Sequence, residues 1–216
     1  MRVLDLFSGT GSIKKIALAH GHECVSLDLE NADINIDIMK WDYTAYSGFD
    51  YIHASPPCVT FSHCRKCHFG KKIKAHPVIF TRALYIQDQV DFGVPLLHRT
   101  LEIIDYFKPQ FWTIENPQTG DMKKYIDLPY TDVDYCRYGT PYKKPTRIWN
   151  NFDFKGLRCE KKCDSMIDNK HKSRSCHTSN AGTTRKGLLR TKKPTLRQMQ
   201  AIPAPLVESI FMAFQC

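Results

Sequence analysis

The first 28 residues constrain the fold more than any other part of the chain. They contain two apolar strand-like segments, separated by a glycine turn and an amphipathic segment of helical period. In chain order these are a strand at 2–6, a turn at 7–11, a helix at 13–19 that stops at Gly21, and a strand at 23–27 that ends on Asp28. Strand, glycine turn, helix, strand is the opening of a parallel α/β sheet. The sequence therefore predicts an open α/β fold.

The rest of the chain supplies the remaining elements of such a sheet. Apolar patterning predicts strands at 34–38, 51–54, 111–114, 131–136 and 147–152, and helices at 94–107, 195–201 and 205–214, whereas residues 62–76 indicate a polar loop. From about residue 153 the composition becomes rich in Lys, Cys, Ser and Thr. We predict a core at 1–152, a small Cys/Lys-rich lobe at 153–193, and carboxyl-terminal helices at 194–216 that complete the core.

Charge and composition narrow the class of protein. The 216 residues carry 31 Lys and Arg against 22 Asp and Glu, a net charge of +9, which attracts polyphosphates such as nucleic acids. No apolar run approaches the roughly 20 residues needed to cross a bilayer, and the amino terminus enters a strand without a signal-peptide pattern. We expect a soluble intracellular protein whose nine cysteines are reduced.

The turn Phe7-x-Gly9-x-Gly11 indicates a nucleotide-type cofactor site. Glycines between a strand and a helix let the backbone approach a ligand closely, and Asp28 can accept hydrogen bonds from ribose hydroxyls. Dinucleotides also use such a turn, but the third glycine of their fingerprint is replaced by Lys14. The simpler alternative is a tight turn without a ligand.

A second candidate site follows the strand at 51–54. Pro56 and Pro57 rigidify a loop that presents Cys58 at the carboxyl edge of the sheet, where open α/β sheets bind ligands. Glu115 ends the strand at 111–114 at the same edge. Cys58 could be a nucleophile and Glu115 a proton donor, although each could equally be structural, as a buried thiol or a helix-capping acid.

Five ordered segments that span the chain resemble motifs of the cytosine-C5 DNA methyltransferases, especially short virus- and phage-type members. They are Asp5–Gly11 (cofactor motif), Pro56–Cys58 with Phe61 and Ser62 (nucleophile motif), Glu115–Asn116 (acidic motif), Tyr142–Trp149 (basic motif) and Leu196–Ile210 (carboxyl-terminal motifs). The resemblance implies a Rossmann-like S-adenosylmethionine-dependent methyltransferase sheet with a small recognition lobe. It also implies duplex DNA as the partner, with no obligate protein partner.

The resemblance further implies roles for individual residues. Cys58 would attack carbon 6 of a flipped cytosine, Glu115 would stabilise protonated nitrogen 3, and Arg147 would hold the base oxygen. Carbon 5 would then take the methyl group, leaving S-adenosylhomocysteine. The implied cofactor-binding residues are Phe7, Ser8, Gly9, Gly11, Asp28, Asp37 and Pro57.

The chain also departs from the family pattern. Ser55 and Val59 stand where the family commonly has Gly and Gln, Pro117 replaces Val after Glu-Asn, and the usual arginine pair is reduced to Lys144 and Arg147. The segment available for target recognition is also much smaller than is typical of the family, which argues against tight sequence specificity.

Three other functions remain open from the sequence. An amino-methylating enzyme acting on adenine N6 or cytosine N4 would share Ser55-Pro56-Pro57, although Cys58 and Glu115 argue against it. A second alternative is cytosine methylation in RNA on the same fold. The third is a catalytically silent nucleic-acid-binding relative.

Two cysteine and histidine clusters suggest metal. Cys159, Cys163, His171 and Cys176, with His177 beside them, could bind a structural zinc ion in a lobe that is short of apolar residues. Their spacing is not that of a standard zinc finger, and the alternative is a basic loop with incidental cysteines. The second cluster, at 63–68, is either a compact metal site or a loop that closes over DNA.

Overall fold

A computed structural model of the protein describes residues 1–167, 170–171 and 195–214. Its strands are β1 (Arg2–Leu6), β2 (Glu23–Asp28), β3 (Ile34–Asn35), β4 (Tyr51–Ala54), β5 (Lys72–Ile73), β6 (His76–Ile79), β7 (Phe111–Pro117), β8 (Tyr130–Asp134), β9 (Pro145–Asn150), β10 (Met166–Ile167) and β11 (Lys170–His171). Its helices are α1 (Ser12–Ala19), α2 (Arg82–Asp88), α3 (Val94–Phe107), α4 (Leu196–Gln200) and α5 (Ala204–Ala213), and a π-helical turn joins α2 to α3. No helix in the described ranges is long and apolar enough to cross a membrane.

Seven strands form one twisted sheet in the order β3-β2-β1-β4-β7-β9-β8. The five strands from β3 to β7 are parallel, and β9 runs antiparallel to both of its neighbours. The order 3-2-1-4 is that of a Rossmann sheet, in which the chain reverses direction at β1 and ligands bind at the carboxyl ends of the strands. The predicted α/β fold with a Rossmann-like sheet is therefore confirmed.

Alternate residues of each central strand face opposite layers, which gives the sheet a hydrophobic core on both sides. On one face Leu4 and Leu6 of β1 belong to the cluster that contains the buried side of α3. On the other face Val3 packs in a cluster with Ile13 of α1 and Phe211 of α5. Helix α5 thus packs on this face of the sheet.

Several local predictions need correction. The strand predicted at 131–136 ends at Asp134, and residues 135–138 form a 3-10 turn. The predicted loop at 62–76 contains a 3-10 helix at 63–68 and the β5–β6 hairpin. Helix α2 and the π-helical turn were not predicted. The division at residues 152 and 193 stays a prediction, because much of the small lobe lies outside the described residues.

Gly93 ends the π-helical turn and lies against the loop that follows Cys58. A Cβ atom at this position would lie 2.5 Å from Thr60 Oγ1 and 2.6 Å from Phe61 Cζ. Both distances are shorter than real carbon contacts, so any side chain here must displace the loop. Gly93 thus allows α3 to pack closely behind the loop that follows Cys58.

We predict that Gly93→Ala lowers the free energy of unfolding by about 1–3 kcal/mol, because the added methyl group overpacks this contact. Gly48→Ala is the matched control, since a Cβ atom there meets nothing within 4 Å. Urea denaturation of both variants measures the difference. Equal stability of the two variants would show that the Thr60–Phe61 contact is not tight.

Candidate active site

A cavity of about 1010 Å³ opens at the carboxyl ends of the central parallel strands. Pockets for small molecules typically measure roughly 300–1,000 Å³, so this one is large enough for a nucleotide-sized ligand together with part of a second molecule. The predicted site residues that line it are Phe7, Ser8, Gly9, Asp28, Asp37, Pro57, Cys58 and Glu115. Gly11 and Arg147 do not line it.

The turn after β1 has a backbone that few side chains tolerate. Phe7 has a φ of 58° and Gly9 a φ of 49°, both in the left-handed region, and such positions in ordinary residues mark functional turns. The Gly9 amide donates a hydrogen bond of 2.8 Å to Asp28 Oδ2. Gly11, with a φ of 67°, begins helix α1. Asp28 therefore holds the turn in shape and also contributes to the cavity wall.

Asp5 is a buried carboxyl group at the base of this turn, and sequence analysis assigned it no role beyond the motif. It lines the cavity, and within the described part of the chain its Oδ2 atom has no hydrogen-bond partner. Burial raises the pKa of Asp5 to about 8. At neutral pH the carboxyl group therefore keeps its proton and can donate a hydrogen bond.

The loop that carries Cys58 is anchored at its start to the neighbouring strands. Asn116 Nδ2 donates a hydrogen bond of 2.9 Å to the carbonyl oxygen of Pro56. His53 bridges Thr113 and Ser55, with its ring nitrogens 2.8 Å and 2.9 Å from the two hydroxyl oxygens. Burial lowers the pKa of His53 to about 3, so the ring is neutral and serves as a hydrogen-bonding bridge.

Asp121 anchors the other end of the loop. Its amide donates a 2.8 Å hydrogen bond to the carbonyl oxygen of Phe61, and its carboxylate accepts hydrogen bonds from Tyr85 and pairs with Lys66 and His63. Burial alone would raise the pKa of Asp121. Hydrogen bonds from His63, Tyr85 and two lysines to its carboxylate outweigh burial and hold the pKa well below its usual range. The loop is thus held by charged partners at its far end.

Glu115 lies buried at the opposite wall of the cavity. Its Oε1 atom accepts a hydrogen bond of 3.0 Å from Tyr135 and lies 3.4 Å from Lys144 Nζ. Burial raises the pKa of the Cys58 thiol, the negative charge of Glu115 raises it further, and Lys144 opposes this shift. Lys144 is therefore the cation that favours ionisation of the Cys58 thiol.

Arg147 lies against Asp132 and Tyr130, and its predicted catalytic role stays a prediction. Its guanidinium forms two hydrogen bonds with Asp132, of 2.8 Å and 3.0 Å, and lies 3.4 Å above the centre of the Tyr130 ring. Asp132 is the cross-strand partner of Arg147 in β8, so sheet pairing holds the guanidinium away from Glu115. Lys144, from the turn before β9, lines the cavity instead.

The predicted metal ligands Cys159, Cys163 and His171 do come together, and Cys136 completes a group of four. Sequence reasoning missed Cys136, because it was read as the end of a strand. Cys176 and His177 lie outside the described residues. Within the described residues the 63–68 cluster does not bring three such ligands together, so its metal interpretation gains no support and stays a prediction.

Comparison with known proteins identifies the family of the chain. A Frog virus 3 (isolate Goorha) protein, named as a probable DNA (cytosine-5)-methyltransferase, is 40% identical over 202 residues, which cover 88% of this chain and 92% of that protein. The chain belongs to the DNA (cytosine-5)-methyltransferase family. No family model matches the chain.

Two solved structures of methyltransferases also align with this family member. One is a protein assigned as a DNA modification methyltransferase of an E. coli prophage, with a TM-score of 0.48 and 13% identity over 99% of this chain and 69% of that one. The other is the S. pombe Dnmt2 methyltransferase, with a TM-score of 0.45 and 12% identity over 78% of this chain and 57% of that one.

The raised pKa of Asp5 predicts a specific pH dependence of stability for this methyltransferase. The unfolded chain loses this proton above its ordinary pKa of 3.8, whereas the folded protein keeps it up to about pH 8. Stability should therefore fall as pH rises through this window, by up to about 1.4 kcal/mol per pH unit. Asp5→Asn should lack this contribution.

Urea denaturation of the wild type and Asp5→Asn between pH 4.5 and 8 tests the idea, with Asp105→Asn in the exposed face of α3 as the control. The stability of Asp5→Asn relative to the wild type should grow with pH, and that of Asp105→Asn should not. Parallel profiles for all three proteins would mean that Asp5 is ionised in the fold.

Proposed function

We propose that the protein transfers a methyl group from S-adenosylmethionine to carbon 5 of cytosine in DNA, through a covalent bond between Cys58 and carbon 6. One observation carries the proposal: Cys58 and Glu115 share a single cavity with the Phe7–Gly9 turn and Asp28. A nucleophile, a proton donor and a nucleotide-binding turn are the parts that this reaction needs.

The residues around the turn fit the proposed cofactor. Asp28 Oδ2 and Oδ1 each accept one backbone hydrogen bond, from Gly9 and Leu29, which leaves a lone pair on each oxygen for ribose hydroxyls. The unpartnered Oδ2 of Asp5 offers a further polar contact, and Asp37 lines the wall where an adenine amino group would need an acceptor. When bound, S-adenosylmethionine supplies the methyl group.

The chain's own residues would prepare the base. The Cys58 thiol would pass its proton to the Glu115 carboxylate, the sulfur would attack carbon 6 of cytosine and form a carbon–sulfur bond, and Glu115 would give the proton on to nitrogen 3. The electron pair displaced from the ring double bond makes carbon 5 nucleophilic, which carbon 5 of free cytosine is not. After carbon 5 is methylated, loss of its proton restores the double bond and expels Cys58.

Lys144 takes the part that the family resemblance gave to Arg147. Its ammonium lies beside Glu115 and lowers the pKa of Cys58 against the effect of burial. A cation here stabilises the thiolate and can donate a hydrogen bond to the base oxygen. Arg147 instead stabilises the β8–β9 pair through Asp132.

Duplex DNA is the proposed partner. Because the cavity encloses both reacting side chains, the target base would have to be flipped out of the stack to reach them. The exposed Lys71, Lys72 and Lys74 are suited to phosphate contacts. Arg65 and Lys66 are less available, because they pair with Asp88 and Asp121.

The decisive experiment is incubation with labelled S-adenosylmethionine and duplex DNA, followed by nuclease digestion and nucleoside analysis. We expect 5-methylcytosine; N4-methylcytosine or N6-methyladenine would support the amino-methylating alternative. A parallel reaction with RNA separates the two nucleic acids, since we expect faster transfer to DNA. A wild-type protein that binds DNA but transfers no methyl group would favour the silent relative.

We predict that Cys58→Ser abolishes methyl transfer and leaves S-adenosylhomocysteine binding unchanged, because Cys58 acts on the base. The wild type should also form a stable covalent adduct with DNA that contains 5-fluorocytosine, which denaturing gels can detect. Cys67→Ser, at an exposed cysteine of the same segment, is the matched control and should retain both activities. Adduct formation by Cys58→Ser would contradict the assignment of the nucleophile.

We predict that Lys144→Met lowers kcat by about 100-fold, as is typical for the loss of one charged donor. Its residual rate should rise towards higher pH, because without the ammonium the pKa of Cys58 increases. Lys144→Arg should recover part of the rate, and Arg147→Met should act mainly on stability. If Arg147→Met stays folded and is inactive while Lys144→Met is active, Arg147 is the cation at the base.

A further inference from the structure

A second group of reactive side chains lies outside the cavity. It consists of the thiols of Cys136, Cys159 and Cys163 and the imidazole of His171, whose ligand atoms all lie within 4.8 Å of one another. The three cysteines are buried, and Cys159 Sγ is 3.5 Å from His171 Nε2. The proposed reaction uses none of these residues.

The spacing of these atoms is close to that of a tetrahedral zinc site. Zinc–sulfur bonds of about 2.3 Å and zinc–nitrogen bonds of about 2.0–2.1 Å place neighbouring ligands about 3.8 Å apart for two sulfurs and about 3.5 Å apart for sulfur and nitrogen. The distance between Cys159 and His171 already matches the second value. Closing the remaining distances requires only small movements of the other side chains.

The surroundings of the four side chains also indicate a metal. The three buried cysteines form a cluster of their own, against which one partly buried apolar side chain, Met166, is packed. So small an apolar group cannot hold a segment in place, and small modules without a sufficient core commonly use metal ions instead. A disulfide would use two of the thiols and leave the third thiol and the imidazole without a role.

We propose that Cys136, Cys159, Cys163 and His171 bind one structural zinc ion. Four protein ligands close the coordination sphere and leave no position for substrate, as in structural rather than catalytic sites. Three of the ligands come from the small lobe. Cys136 comes from the catalytic core, in the turn between β8 and β9, so the ion joins the lobe to the core.

The junction lies next to the groups that contact Glu115. Tyr135 precedes Cys136 in the chain and donates the hydrogen bond to Glu115. Asp134, one residue earlier, accepts a hydrogen bond of 2.7 Å from the Cys159 amide and pairs with Arg158. A contribution of the ion to the position of Glu115 in the reaction rests on the proposed function, but binding of the ion does not.

The first test uses the wild-type protein. Elemental analysis of the purified chain should give about one zinc ion per molecule. Replacement by cobalt should produce the thiolate-to-cobalt charge-transfer absorption and the intense visible bands of tetrahedral cobalt. Substoichiometric zinc together with the absence of these bands would overturn the proposal, whatever the methyltransferase activity.

Variants then identify the fourth ligand. Cys136→Ser should lose most of the bound zinc and the tetrahedral cobalt spectrum, whereas Cys176→Ser, outside the four ligands, should retain both. The reverse result would overturn the assignment of Cys136. Binding of S-adenosylhomocysteine by Cys136→Ser serves as a test of folding, because β1, β2 and β4 build that part of the cavity.

A metal-depletion experiment separates this proposal from the proposed function. Removal of zinc by a chelator should weaken DNA binding at least tenfold and leave S-adenosylhomocysteine binding unchanged. Full DNA affinity without the metal would overturn its role in joining lobe and core. A zinc-loaded protein that transfers no methyl group would contradict the proposed function and leave the metal site standing.

Discussion

The parallel pairing of β4 with β7 is the constraint on which the active site depends. Ala54 and Ile114 are partners in adjacent strands. Strand β4 ends at Ala54 and leads to Cys58, whereas β7 continues through Glu115 to Pro117 in its pairing with β9. The hydrogen bond from Asn116 to Pro56 joins β7 to the loop that follows β4. A shift of one residue in the β4–β7 pairing would turn Glu115 towards the opposite face of the sheet and separate the proposed acid from the proposed nucleophile.

The charges around the cavity disfavour ionisation of the Cys58 thiol in the free protein. Burial and the negative charge of Glu115 raise the pKa of Cys58, so the thiol is protonated in the free protein and protected from adventitious chemistry. Lys144 provides one positive charge, and the proposed methyl donor would bring another on its sulfur. The thiolate would thus be favoured only when the cofactor is bound, which couples activation of the nucleophile to the presence of the methyl group.

The parts of the fold that could be predicted from sequence are those that depend on local patterns. The central strands, the Phe7–Gly11 turn and helix α3 have strong apolar periodicity, and their bounds agree closely with the structure. The catalytic role of Arg147 stays a prediction, and its pairing with a cross-strand carboxylate, Asp132, could not be foreseen because strand pairing is not visible in a local motif. Cys136 was missed for a similar reason: it lies 23 residues before Cys159 in the chain, and only the β8–β9 turn brings it to the lobe.

The same topology explains how a short chain can carry a small additional lobe. A lobe of about 40 residues buries too little apolar surface to be stable alone, and its described portion contains a cluster of thiols where a larger domain would have a hydrophobic core. The hydrogen bonds that Asp134 accepts from Cys159 and Arg158, together with the proposed metal, would fix the lobe to the turn that carries Tyr135 and Lys144. Because both of these side chains contact Glu115, attachment of the lobe and geometry of the proposed catalytic acid depend on the same few residues.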